Sequence, residues 1–147
     1  MSTQNRKSDT RPYRLKERAR KQEETRRRIT EAVVELHRTV GPAKTTVSDV
    51  ADLAGVGRMT VYKHFPTESE MFQACGAHWS EDNPLPDFSD CLDADDPRDR
   101  AAAALERLYD YYRQGHDMLG KIMRDAPLLP SLQSVVDESW GPTLDSL

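Results

Sequence analysis

Within the heptapeptide RMTVYKH, residues 58 to 64, five side chains able to hydrogen-bond a polyanion and one methionine surround the apolar Val61. Wound as a helix, Val61 and the following Phe65 share one side, four residues apart. Met59, Thr60 and Lys63 fall on the opposite side, Tyr62 and His64 on the flanks, and Arg58 in the first turn, where a long side chain swings outward. Such a face, rich in hydrogen-bonding groups and modest in charge, suits the major groove of duplex DNA, where base edges and phosphates lie within reach of one helix. Thr60 and Lys63 reach phosphates or bases, Tyr62 and His64 donate to phosphate oxygens, and Met59 meets a thymine methyl group. The same residues also suit a short surface helix that only packs a small core, and the heptapeptide leaves both readings open.

The elements that must position this face are legible on either side. Thr46 is expected to cap a helix over Val47–Ala54 with the buried stripe Val47, Val50, Ala51 and Ala54, and Asp49 at its third position favours the positive terminus. Gly55 supplies a left-handed residue that closes it, Val56 turns back to the core, and a second short helix runs from Arg58 to Phe65, where Pro66 stops it. Upstream, Ile29, Ala32, Val33, Leu36 and Val40 mark a helix from about Arg14 to Gly41-Pro42, and its stripe extends backwards through Thr25 and Gln22. Downstream, Thr67 caps a fourth helix to about Trp79. Asp96-Pro97 starts a fifth to about Gln114, carrying Ala101, Ala104, Leu105, Leu108 and Tyr112. A sixth over His116–Asp125 and a short seventh with Leu132, Val135 and Val136 follow. No strand-like alternation appears, and the expected class is all-α.

The block TTVSDVADLAGVGRMTVYKHFPTESEMF, residues 45 to 72, resembles the DNA-binding domain of the TetR/AcrR family of bacterial repressors. The resemblance rests on Val50-Ala51, Ala54-Gly55-Val56, Thr60-Val61-Tyr62 and His64-Phe65-Pro66 at fixed spacings, and covers about residues 22 to 80. It implies that Thr60 to His64 belong to the recognition helix and that the helix start at Thr46 faces phosphate, which its unpaired N–H groups favour. Two departures stand out. Gly57 occupies a position usually held by a capping serine, and Glu68 a position often held by a phosphate-contacting lysine.

Charge is unevenly distributed. Residues 1 to 28 hold eleven lysines and arginines against four acidic residues, whereas residues 71 to 147 hold six against fifteen, within a net charge of −4. A basic head on an acidic body points to a polyanion partner for the head alone. Residues 1 to 21 are expected to form a flexible basic arm whose Arg11-Pro12-Tyr13-Arg14 reaches an adjacent minor groove, or else a solvated tail adding non-specific attraction. Residues 22 to 80 form the helix-turn-helix domain, 81 to 96 an acidic linker, and 97 to 147 a partial helical effector and dimerisation domain.

For that last part the resemblance implies a ligand cavity and a dimer interface made by two later helices. The sequence ends at Leu147 without a counterpart to them, so the expectation is a fragment, a shortened relative, or a dimer formed by another surface. Tyr109, Tyr112, His116, Met118 and Trp140 are the candidate ligand residues, although aromatic and methionine side chains at helical spacing are also ordinary core material.

Other chemistries lack their residues. Cys75 and Cys91 read as free thiols, no histidine has metal-ligand spacing, and no nucleophile–base pair or phosphate-cradling glycine loop occurs, so no catalytic residue, metal or cofactor is expected. No apolar run is long enough for a bilayer and no secretory leader is visible, which sets the expectation of a cytoplasmic protein. The function expected is a sequence-specific regulator, a dimer binding a palindromic operator on double-stranded DNA and released by a small-molecule effector. The alternative is a truncated module that pairs with a full-length relative.

Overall fold

The computed structural model describes residues 10–144, and among them every regular element is helical. Helix α1 spans Thr10–Thr39, α2 Val47–Ala54, α3 Arg58–His64, α4 Glu68–Asp82, α5 Pro97–Asp125 and α6 Pro130–Leu144, with single 3₁₀ turns at Pro42–Lys44, Ser89–Asp93 and Ala126–Leu128.

Helix α1 begins earlier than its apolar stripe suggests. Pro12 sits in its first turn, where a missing N–H breaks no intrahelical bond. Residues 10 to 21 are therefore the leading turns of one 30-residue helix, not a separate flexible arm; residues 1 to 9 of that expected arm lie outside the described residues. Exposed pairs Arg20–Glu17 and Arg27–Glu31 support the helical spacing. At its other end Val40 lies beyond the last turn and is exposed rather than in the core. Gly41 then takes φ 94°, a left-handed conformation, and leads into Pro42.

Ile29, Val33, Val50, Val61 and Phe65 form the buried centre in which α1, α2 and α3 meet, with Ala51 at the crossing. The small alanine lets the helices approach, and Val56 packs against this centre from the turn. Helix α4 closes the group with Cys75, while Phe72 packs with Leu132 and Val135 of α6.

Helix α5 runs unbroken through the expected boundary at Gly115. A Cβ there would stand 2.9 Å from the Trp79 ring, so glycine serves the close approach of α4 and does not interrupt the helix. Its buried face is Gly115, Met118 and Leu119 in its second half. Leu105, expected on a buried side, is 65% exposed. The turn Ser89–Asp93 is not a loose connector: Phe88 and Cys91 are buried, and Arg107 holds Asp90 at 3.0 Å and the Asp87 carbonyl.

Candidate nucleic-acid interface

Two capping arrangements and one glycine set the angle between α2 and α3. The Thr46 hydroxyl accepts from Asp49 N–H at 3.1 Å while the Asp49 carboxylate accepts from Thr46 N–H at 3.0 Å, a reciprocal box that fixes the start of α2. Gly55 ends α2 at φ 67°, and Val56 N–H returns to the Ala51 carbonyl at 3.0 Å. Gly57 caps α3 with no side-chain acceptor. Beyond α3, Thr67 and Glu70 repeat the reciprocal box at the start of α4.

On this frame Val61 and Phe65 anchor α3 inward, and Arg58, Met59, Tyr62 and Lys63 are exposed, with Thr60 and His64 half-buried at the edges. Met59, an apolar group, is 78% exposed. Among the described residues neither Arg58 nor Lys63 makes an ion pair, so both cations are free for an outside anion. His64 is held below its ordinary pKa by partial burial and by the Arg26 and Lys63 charges, so it is a neutral imidazole at pH 7 and donates from one nitrogen only.

The structure refines three expectations. The Thr46 hydroxyl also donates to Asp49 at 2.6 Å, so its proton is committed within the protein and the free donors at that helix start are the Val47 and Ser48 N–H groups. Arg11 and Arg14 stand on exposed turns of α1 rather than on a flexible arm. Glu68, whose carboxylate departs from the lysine pattern, accepts from Ser131 Oγ at 3.1 Å and so ties α4 to α6.

The expected ligand residues divide. Met118 and Trp140 line an apolar cavity of about 110 Å³ between α1, α4, α5 and α6. Tyr111, not anticipated from sequence, also lines it, meeting Trp140 edge-on at 5.6 Å. Tyr112 stacks on Trp140 at 6.0 Å from outside this cavity. Tyr109 is 70% exposed and His116 faces solvent beside Asp117, so neither reaches it. His37 and Cys75 also line the cavity, Nδ1 and Sγ 3.3 Å apart. Burial lowers the His37 pKa to about 4 and pushes the Cys75 thiol up to about 12, so both are neutral at pH 7. Among the described residues no group of three His, Cys, Asp or Glu side chains can hold a metal, and no helix is long and apolar enough to cross a membrane.

Two short helices joined at a left-handed glycine, with a braced inner face and a bare polar outer one, define a helix-turn-helix DNA-binding domain. Residues 29–75 match the family described as bacterial regulatory proteins, tetR family, and this part of the chain is a tetR-type domain. Over 52 residues the chain is 44% identical to the HTH-type transcriptional regulator TtgR of Pseudomonas putida. It is equally similar to the probable HTH-type transcriptional regulator ArpR of the same species. In both cases the aligned stretch covers 35% of this chain and 25% of the relative, so the likeness spans about a quarter of each relative's length. No solved structure matches the chain.

Proposed function

We propose that this protein is a sequence-specific regulator of transcription, a repressor that binds a palindromic operator as a dimer and is released by a small apolar effector. The observation that carries the reading is the outer face of α3, where Met59 stands exposed between the free cations Arg58 and Lys63. In the major groove Met59 contacts a thymine methyl group, Thr60 a base edge, and Arg58, Tyr62, Lys63 and His64 hold phosphates or bases nearby. The Val47 and Ser48 N–H groups beside Thr46 receive a further phosphate. The similarity of residues 29–75 to tetR-family regulators supports this use of the helix. The wall of Met118, Tyr111 and Trp140 supports an apolar effector, and cytoplasmic residence follows from the work assigned.

A second reading, a module that pairs with a longer relative, is favoured by the α5 face bearing Leu105 and Tyr109, 65% and 70% exposed. One experiment separates the two: selection of bound duplexes from a random pool, with sedimentation equilibrium on the protein alone and with the enriched duplex. The regulator gives a palindrome with half-sites ~34 Å apart, or a multiple of that, and a protein dimer upon it. A monomer that enriches no sequence supports the module.

A further inference from the structure

The leading turns of α1 carry a stripe that changes chemistry where the protein stops covering it. In its second half Ile29, Ala32 and Leu36 run along one line of the helix and face the core. Followed towards the N-terminus through Thr25, the same line is occupied by Lys21, Arg18, Arg14 and Arg11, all exposed. Steps of three and four residues keep all of these within about a third of the helix circumference.

No carboxylate stands on the stripe itself, although Glu17 borders it, paired with Arg20 and also acting on Lys21. Glu23 and Glu24, the other carboxylates of this half, lie off the line. Among the described residues none of the four cations on the line makes an ion pair, whereas Arg20 and Arg27 elsewhere on the helix do. Like charges three and four apart repel, and Glu17 offsets this only in part, beside Lys21.

Its direction is fixed by Arg26, whose guanidinium donates to the carbonyl of His64, the last residue of α3, at 2.6 Å. From that pin the helix projects ~24 Å past the end of α3, at about 1.5 Å per residue over Thr10–Thr25. The cationic line continues one edge of the α1 face on which Ile29 and Ala32 pack with Val50 and Val61.

We propose that this stripe is a rigid second DNA contact, in which Arg11, Arg14, Arg18 and Lys21 hold backbone phosphates of the duplex flanking the segment read by α3. The proposal rests on the DNA-binding reading of α3 and replaces a flexible arm with a helical bar. Duplex DNA is the occupant that the charge favours, since it offers one negative charge per ~1.7 Å of its axis. A membrane surface fits poorly: the exposed apolar residues Tyr13 and Leu15 point to nearly opposite sides of the helix and form no insertable face.

The test uses the full chain and the variant Arg14→Gln/Arg18→Gln/Lys21→Gln, its helicity checked by circular dichroism. Affinity is measured against salt on an enriched duplex with about ten extra base pairs on each side, and on the same duplex trimmed to the segment the variant protects. The expected result on the long duplex is a log–log salt slope smaller by about 2 to 3 per bound chain, with affinity down at least tenfold at low salt. On the trimmed duplex wild type and variant bind alike. An unchanged slope on the long duplex, or an equal loss on both, overturns the proposal, the latter because it signals diffuse attraction without placed contacts. So does preferential binding of the wild type to anionic vesicles or single-stranded RNA. If the wild type binds no duplex at any salt, the α3 reading itself has failed; normal selection with an unchanged slope removes the stripe alone.

Discussion

The guanidinium carbon of Arg26 lies 4.1 Å from the centroid of the Phe65 ring, and the same group donates to the carbonyl of His64. One side chain of α1 thus covers the anchor of α3 and caps its end, so the outer face of α3 is held at a fixed tilt. A cation over an aromatic face and a charge-assisted hydrogen bond together contribute about 2 kcal/mol. Arg26→Ala is expected to lower the free energy of unfolding by that amount, read as a lower denaturant midpoint at an unchanged slope, and Arg26→Lys to recover less than half of it.

Asp125, 1% exposed, joins the end of α5 to the loop before α2. It accepts from Arg124 at 2.6 Å and 3.0 Å and from Ala43 N–H at 3.0 Å. Asp125→Ala strands the Ala43 donor and is expected to cost about 2 kcal/mol. Gly41→Ala should cost at least as much: at φ 94° its Cβ would lie 2.3 Å from Arg124 Nη2 and 2.6 Å from Asp125 Oδ2. A double-mutant cycle between positions 41 and 125 is expected to be non-additive by more than about 0.5 kcal/mol, as urea denaturation will read.

Buried His37 makes the fold sensitive to acid. Its pKa is about 4 in the folded chain, lowered by burial against an opposing pull from Asp125, and 6.5 in the unfolded one. The unfolded chain therefore binds the proton more readily. This contribution to stability is complete above about pH 6.5 and is lost as pH falls towards 4, a change on the order of 3 kcal/mol. His64 acts with the same sign. Asp125, held low first by its hydrogen bond from Arg124, contributes above pH 3.8 and loses its part only below that. Denaturation midpoints should fall from pH 7 to pH 5 in the wild type and fall less steeply in His37→Gln.

Gly57 leaves α3 without a side-chain cap, and a Cβ added there meets nothing within 4 Å. Gly57→Ser is expected to raise stability by a few tenths of a kcal/mol through a new bond to the first turn of α3. Thermal melting should show a rise of ~1 °C. A fall would mean that the extended backbone at residue 57 does not accept the serine geometry.

What was legible in the sequence is what is local. The cap at Thr46 and Asp49, the break at Gly55-Val56-Gly57 and the inward pair Val61 and Phe65 each depend on residues within a few positions of one another. Ties that cross the chain were invisible: Arg26 to His64, Asp125 to Ala43 and Glu68 to Ser131 join positions 38, 82 and 63 apart. The first helix read as starting at about Arg14, although a first turn tolerates Pro12 and α1 begins at Thr10. Gly115 read as a break although Trp79 requires it. Of the cavity, Met118 and Trp140 were recognisable by type, but only packing distinguishes Tyr111, on its wall, from Tyr109, in water.

The central claim is that the outer face of α3 reads base sequence, and the most direct measurement repeats the duplex selection with Met59→Ala/Thr60→Ala. Both side chains lie off the core, Met59 at 78% exposure, so the fold should be unaffected. The account predicts that the variant loses base preference at one or two adjacent positions of each half-site. Affinity for the original duplex should fall by about 1–3 kcal/mol per lost base contact, while binding to random DNA stays the same. A variant that enriches the wild-type sequence with wild-type affinity would contradict the account and move base reading away from α3.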